Sequence, residues 1–279
     1  MRIKELKAEL IKMASALPSP SLEAAIIIEK ATGLDRIHQI MNADNAVSDS
    51  DRDNCFSMIK RRLNGTPMAY ITGEKEFYGL TFQVTPATLI PRPDTETIVD
   101  KAIEIAREFY KEPKILDLCT GSGAIATAIS VALGIPVAFS DISEEALFVA
   151  EDNYERLTGR KGDARSGSLF EPWKNQRFDM IVTNPPYLTE EWWEETEIDV
   201  KSEPRLALIS DSTDGLDIIR RIIDESNDHL ESNGFLLIEG DYRQMDICAK
   251  ILSTAGFGSV SIIKDLAGKE RVVYGRREH

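Results

Sequence analysis

The chain has 279 residues, 42% hydrophobic and 29% charged, which allows one large globular domain or two smaller ones. Its 47 acidic residues against 33 basic ones leave a net charge of -14, and so acidic a surface disfavours nucleic acid, whose non-specific binding comes from Lys and Arg displacing counterions. Cys55, Cys119 and Cys248 are odd in number and far apart, which excludes a disulfide framework and a metal-ligand spacing and fits a reducing, cytoplasmic setting.

In chain order, residues 1 to about 72 read as a helical domain. "IKELKAELIKMASAL" places Ile3, Leu6, Leu10, Ile11 and Ala14 at three- and four-residue spacing, as an amphipathic helix rather than a signal peptide. "SPSLEAAIIIEKATG" opens on Ser and Pro and closes on Gly33, and "DSDRDNCFSMIKRRLNG" forms a third helix stopped at Asn64-Gly65. Residues 73–94 then change character. Alternation in Leu80-Thr81-Phe82-Gln83-Val84, with Gly and Pro around it, predicts a β-hairpin connector.

From residue 95 to 279 strands and helices alternate. "KILDLC", "VAFSDI", "FDMIVTNP" and "GFLLIEGD" read as strands, with helices over 122–133, 143–157, 214–231 and 243–255. Such βα units predict an α/β fold with a doubly wound, mostly parallel sheet. The last two strands, "SVSIIKD" and "RVVYGR", are joined by only "LAGKE", too short for a parallel crossover, so the sheet carries an antiparallel strand near the C-terminus. No apolar run approaches the ~20 residues that span a bilayer, so no membrane association is expected.

Two motifs sit where strands end. In "DLCTGSGAIATA" a strand runs from Asp117 into Gly121-Ser122-Gly123 and then a helix; glycines there let backbone approach a ligand closely. Asp141 closes the next strand, about 20 residues on, where an acid grips ribose hydroxyls. Alone, this pair fits an NAD site almost as well, with Ala126 in the last small-residue slot, and a plain strand-to-helix turn is the bland alternative.

The second motif is Asn184-Pro185-Pro186-Tyr187, after Phe178–Val182. The prolines stiffen the chain where it leaves the sheet. The Asn184 side-chain oxygen and the Pro185 carbonyl could together hold both hydrogens of a substrate –NH₂ group, and Tyr187 could stack on a flat substrate. A planar amino nitrogen has a delocalised lone pair, so gripping both hydrogens aims that pair. The bland alternative is a stiff turn.

Asp117…Gly121-Ser122-Gly123, Asp141 and Asn184-Pro185-Pro186-Tyr187 resemble the S-adenosylmethionine-dependent amino-methyltransferases of Rossmann-like, class I fold. "EFYGLTFQVTPATLIPRPDTE", "SEPRLAL", "GFLLIEGD" and "KERVVYGR" extend the likeness, over nearly the whole chain, to the release factor glutamine methyltransferase (PrmC/HemK) family. The resemblance implies N5 methylation of the glutamine in the Gly-Gly-Gln loop of class 1 peptide-chain release factors. S-adenosyl-L-methionine would be the donor and S-adenosyl-L-homocysteine the product.

It also implies roles. Cys119, Thr120, Gly121, Ser122 and Gly123 would lie beside the cofactor's amino-acid end and ribose, with Asp117 supporting them, Asp141 on the ribose hydroxyls and Leu169 near the adenine. Asn184 and Pro185 would hold the glutamine amide, with Pro186 and Tyr187 completing the pocket and Asn184 also touching cofactor. Phe77 or Tyr78 would wall the same pocket, and the helical domain would dock the release factor. Cys119 stands where the usual loop has its first glycine, and Leu169 offers no ring for stacking. No metal is implied; His38, His229 and His279 sit in no motif.

The competing reading is a DNA or RNA adenine amino-methyltransferase with the same Asn-Pro-Pro-Tyr grip. Such an enzyme needs a basic groove, which the net charge of -14 argues against. The chain therefore reads as a monomeric protein methyltransferase without direct nucleic-acid contact. "EEWWEETEID" is read as a lid or a surface helix, "KSEPRLAL" as loop packing more than pocket wall, and Lys60-Arg61-Arg62 as a solvated face.

Overall fold

The computed structural model describes residues 1–278, which divide into two compact units: Met1–Gly73 with Ile198–Ser202, and Glu74–Glu197 with the chain from Glu203 onward. The first unit holds α1 (Ile3–Met13), α2 (Pro20–Thr32), α3 (Arg36–Met41), α4 (Asp49–Leu63) and α5 (Met68–Thr72). Leu6, Leu10, Ala24, Ile27, Ile28, Cys55 and Ile59 interlock as its core. Local chemistry sets the ends: Pro20 opens α2 and Gly33 closes it at φ 73°, while the Ser48 hydroxyl caps α4 by accepting from Asp51 N.

Arg62 is not part of a solvated face. Its side chain is 9% exposed and bonds Glu23 and, at 2.8 Å, Asp199 of the Ile198–Ser202 segment. That segment is further tied to this unit by Ser202 Oγ donating to the Gly65 carbonyl. The short helices α3 and α5 have too few turns to show a period in sequence.

The second unit opens with a hairpin, β1 (Glu74–Phe77) and β2 (Leu80–Gln83), turned at Tyr78-Gly79 with both φ positive. There follow α6 (Glu96–Phe109), β3 (Ile115–Leu118), α7 (Ala124–Leu133), β4 (Ala138–Asp141), α8 (Glu144–Thr158), β5 (Asp163–Ser166), β6 (Phe178–Thr183), α9 (Glu190–Glu194), α10 (Asp217–His229), β7 (Leu230–Glu239), α11 (Met245–Thr254), β8 (Phe257–Lys264) and β9 (Glu270–Arg277). Neither α6 nor β5 was expected. Ile98, Val99, Ala102, Ile105 and Ala106 give α6 a buried stripe, whereas β5 is a short, half-exposed edge with no apolar run to betray it.

The seven strands run β5-β4-β3-β6-β7-β9-β8. All neighbours pair in parallel except β9, which inserts antiparallel between β7 and β8. The antiparallel strand near the C-terminus is thus β9. Helices cover both faces, and α10 alone buries Ile219, Ile222 and Ile223, each worth roughly 1.5–3 kcal/mol.

What positions the site is the register at the centre. Leu118 pairs with Thr183 on one side and Ser140 on the other, so β3, β4 and β6 end level. The chain order reverses at β3, and in open α/β sheets ligands bind at that switch point, outside the carboxyl ends of the strands.

Candidate active site

Beyond β3 the backbone folds into a cradle. Cys119, Gly121 and Gly123 all have φ between 57° and 78°, and α7 starts at once. A Cβ at Gly123 would sit 3.1 Å from Ala150, so glycine is required there by packing as well as by φ. A Cβ at Gly121 meets nothing within 4 Å: that side of the loop is open to a ligand. The left-handed φ of Cys119 explains why a glycine is the ordinary occupant of its slot.

Two carboxylates hold the cradle. Asp117 is fully buried beneath it and accepts from Thr120 Oγ1 at 2.6 Å and Ala126 N at 3.1 Å. Its other oxygen has no partner among the described residues, and burial pushes its pKa up to about 7. Asp141, at the end of β4, accepts from Gly121 N and Ser143 N, each at 2.9 Å. Burial raises its pKa too, opposed by those backbone donors.

Cys119, Thr120, Gly121, Ser122, Asp141, Leu169, Asn184 and Pro186 line one cavity at this edge of the sheet. Asp117 and Gly123 support that wall from behind and do not reach it, and Pro185 and Tyr187 also lie off the cavity surface. Cys119 is no thiolate: burial drives its pKa far up.

Asn184 follows β6 directly. Its Nδ2 donates to Glu239 Oε1 at 3.0 Å and to Thr95 Oγ1 at 3.4 Å. Its Oδ1 accepts no hydrogen bond among the described residues, so the amide's acceptor end remains for a ligand. Pro185 is buried; Tyr187 is half-buried, and burial, then the nearby Glu239 charge, raises its phenol pKa. Gln244 Nε2 clamps the chain just past the prolines by donating to the Tyr187 carbonyl at 3.0 Å.

Two expectations need correction. Phe77 and Tyr78 do not wall this cavity: Phe77 belongs to the core beside Phe82, and the Tyr78 hydroxyl donates to Asp100 on α6. The "SEPRLAL" stretch does more than pack, because Pro204, Leu206 and Ala207 form cavity wall. The buried Glu203 carboxylate pairs with Arg92 and accepts from Ile90 N, pinning the preceding connector. The Trp192-Trp193 segment is a single helical turn held by Arg243, 3.5 Å above the Trp192 ring, and Arg205, 4.5 Å above that of Trp193. Arg92, which the sequence reads either as ordering the connector or as reaching the substrate, lines the cavity; among the wall residues that motif reading misses are Thr95, Ile125, Ile142, Ile218 and Arg221. Only "PRPDTE", a charged run among prolines, marks any of them in sequence.

The cradle suits a nucleoside carrying a cationic amino-acid tail. Apolar Ile125, Ile142 and Leu169 flank it, Gly121 leaves its floor open, and Asp141 places a carboxylate on its wall. Comparison with known proteins agrees. Family models for the PrmC N-terminal domain and the methyltransferase small domain match residues 6–73 and 96–200. The chain is 37% identical to the release factor glutamine methyltransferase of Salmonella typhimurium, covering 92% of each chain. It is 38% identical to the enzyme so named in Neisseria gonorrhoeae, over 92% of this chain and 93% of that one. With the Escherichia coli enzyme of that name it shares 35% identity over 96% of both.

The chain belongs to the release factor glutamine methyltransferase family. Among solved structures, a methyltransferase from Pyrococcus furiosus superposes with TM-score 0.53 at 18% identity, over 79% of this chain and 98% of that one. A T. thermophilus 16S rRNA N2 G1207 methyltransferase in complex with AdoMet and guanosine gives 0.55 at 17% identity, over 74% and 50%. These two share the fold. Members of this family use S-adenosylmethionine, and the cradle of this chain fits it. Among the described residues no helix is long and apolar enough to cross a membrane, and no group of three His, Cys, Asp or Glu is placed to hold a metal.

Proposed function

We infer that the protein transfers a methyl group from S-adenosylmethionine to the side-chain amide nitrogen, N5, of the glutamine in the Gly-Gly-Gln motif of class 1 release factors. The observation that carries this is the meeting, on one cavity, of the Cys119–Ser122 cradle and Asn184 with its amide oxygen uncommitted. The residues act on the cofactor by Asp141 accepting from ribose hydroxyls and the cradle backbone receiving the amino-acid end. Asn184 Oδ1, on the cavity wall, accepts one N–H hydrogen of the glutamine; the Pro185 carbonyl and Tyr187, next to that wall rather than on it, would take the other hydrogen and the amide plane once the glutamine enters. Bound S-adenosylmethionine supplies a methyl on a sulfonium, already an activated leaving group.

The chain's own contribution is therefore proximity and lone-pair alignment. Once methylated, the amide nitrogen would be acidic and would lose its proton to solvent, so the chain need supply no strong base. The helical unit, Met1–Gly73, docks the release factor, and the enzyme works as a monomer on protein without direct contact to nucleic acid or membrane. The net charge of -14 supports a protein substrate over an adenine in a phosphate backbone.

The test compares native enzyme with Asn184→Ala on a purified release factor. Turnover falling on the order of a hundredfold, with S-adenosylhomocysteine affinity nearly unchanged, is the expected result. Equal loss of both would remove Asn184 from the reaction.

A further inference from the structure

Glu239 ends β7, 2% exposed, and lies outside the cavity wall. Its Oε1 accepts from two donors that do line the cavity, Asn184 Nδ2 and Thr95 Oγ1, each at 3.0 Å. Its Oε2 is buried without a hydrogen-bond partner among the described residues. An unpartnered buried carboxylate oxygen is costly.

An ionised carboxylate can only accept, so it can face only the N–H end of a side-chain amide. We propose that Glu239 is a positioning residue for methyl transfer, whose carboxylate dictates which end of the Asn184 amide is turned to the substrate. With Glu239 ionised, Asn184 must present its oxygen, the polarity that grips a substrate –NH₂. A neutral partner at 239 removes that constraint. The amide can then turn over, donate to the cavity and accept from residue 239, a polarity that repels an amino group. This inference rests on the methyl-transfer reading of the site.

The switch lies within reach of ordinary pH. Burial raises the Glu239 pKa to about 7; Thr95 and the Arg271 charge oppose the rise and Asp94 adds to it. Arg271 is shared between Asp94 at 3.0 Å and Asp265 at 3.3 Å, so Glu239 does not have it to itself. Tyr187 faces the same carboxylate and stays neutral, since its own pKa is raised.

The experiment is a kcat–pH profile of native enzyme and Glu239→Gln, with S-adenosylhomocysteine affinity measured alongside. Infrared titration of the cofactor-free protein provides a readout independent of turnover. Native kcat should fall on the acid side as Glu239 takes up its proton. Glu239→Gln should be flat over that range at about a tenth of the native plateau, or ~1.4 kcal/mol of barrier. Affinity for S-adenosylhomocysteine should hold, and the native carboxylic-acid band that titrates should vanish in the variant.

A Glu239→Gln enzyme that keeps the native acid limb, or turns over within twofold of native, overturns the proposal. So does a parallel loss of affinity and kcat, which would make Glu239 a support of the fold. Turnover lost in Asn184→Ala but kept in Glu239→Gln would sink this inference and leave the proposed function standing. A native enzyme inactive on every release factor would sink the function, while the infrared titration would still report on Glu239.

Discussion

Gly215 lies so close to the Tyr187 carbonyl that a Cβ built on it falls 2.2 Å from that oxygen and 2.6 Å from Gln244 Nε2. The Asn-Pro-Pro-Tyr turn is therefore clamped from outside as well as stiffened from within. Gly215→Ala must push the turn outward while holding an alanine at φ 72°. We expect a tenfold to hundredfold drop in kcat, roughly the cost of misplacing a positioning group by about 1 Å, together with ~2 kcal/mol or more of lost stability. Gly33→Ala is the control. It has nearly the same φ but no atom within 4 Å, so it should cost ~1 kcal/mol and leave kcat alone. Equal kcat for both variants would show that the clamp does not matter.

Asp141 braces the cradle through Gly121 N and Ser143 N and offers its remaining lone pairs to the cavity. Asp141→Ala should weaken S-adenosylhomocysteine binding by at least about tenfold, from charge-assisted hydrogen bonds worth roughly 1.5–3 kcal/mol each. Calorimetric titration reads this directly. Unchanged affinity would take Asp141 off the ribose.

Arg62 is enclosed between Glu23 and Asp199, with side-chain exposures of 9%, 13% and 33%. Truncating it leaves two acids facing each other without their cation. Arg62→Ala should destabilise the protein by about 3 kcal/mol in chemical unfolding. Arg2→Ala, whose pair with Asp44 is open to solvent, should leave stability nearly unchanged. Matching midpoints for the two variants would contradict the burial argument.

Asp117 gives a pH signature of the fold. Its pKa is about 7 in the folded chain against 3.8 ordinarily, so between those values the folded protein binds a proton that the unfolded chain has released. Stability must then fall as pH rises from about 4 to about 7, at no more than ~1.4 kcal/mol per pH unit from this group, and level off above. Unfolding free energies of native protein and Asp117→Asn, subtracted at each pH, isolate the effect. A difference that is constant over that range, or that grows in the native protein's favour, would show that Asp117 is ionised in the fold.

The cradle, Asp141 and the Asn-Pro-Pro-Tyr turn were legible in sequence because each is local: glycines and prolines sit at strand ends, where spacing alone reports them. The parallel sheet with one antiparallel strand was legible from alternation and from one short connection. Glu239 was not, because its meaning lies in Asn184, 55 residues earlier, and a lone acid ending an apolar strand carries no pattern. Arg62 misled for the same reason. Its neighbours Lys60 and Arg61 suggest a solvated face, and only Glu23 and Asp199, 39 and 137 residues away, explain its burial. Tyr78 looked like a pocket aromatic, yet the left-handed turn at Tyr78-Gly79 sends its hydroxyl to Asp100.

The most direct test of the account offers S-adenosylmethionine with purified release factor and, in parallel, with duplex DNA, and locates the added methyl by mass spectrometry. A single methyl on the glutamine of the Gly-Gly-Gln motif, with the DNA untouched, is the predicted result. Methyl on adenine, with the release factor unmodified, would contradict it and turn the Asn184 grip to a different amino group.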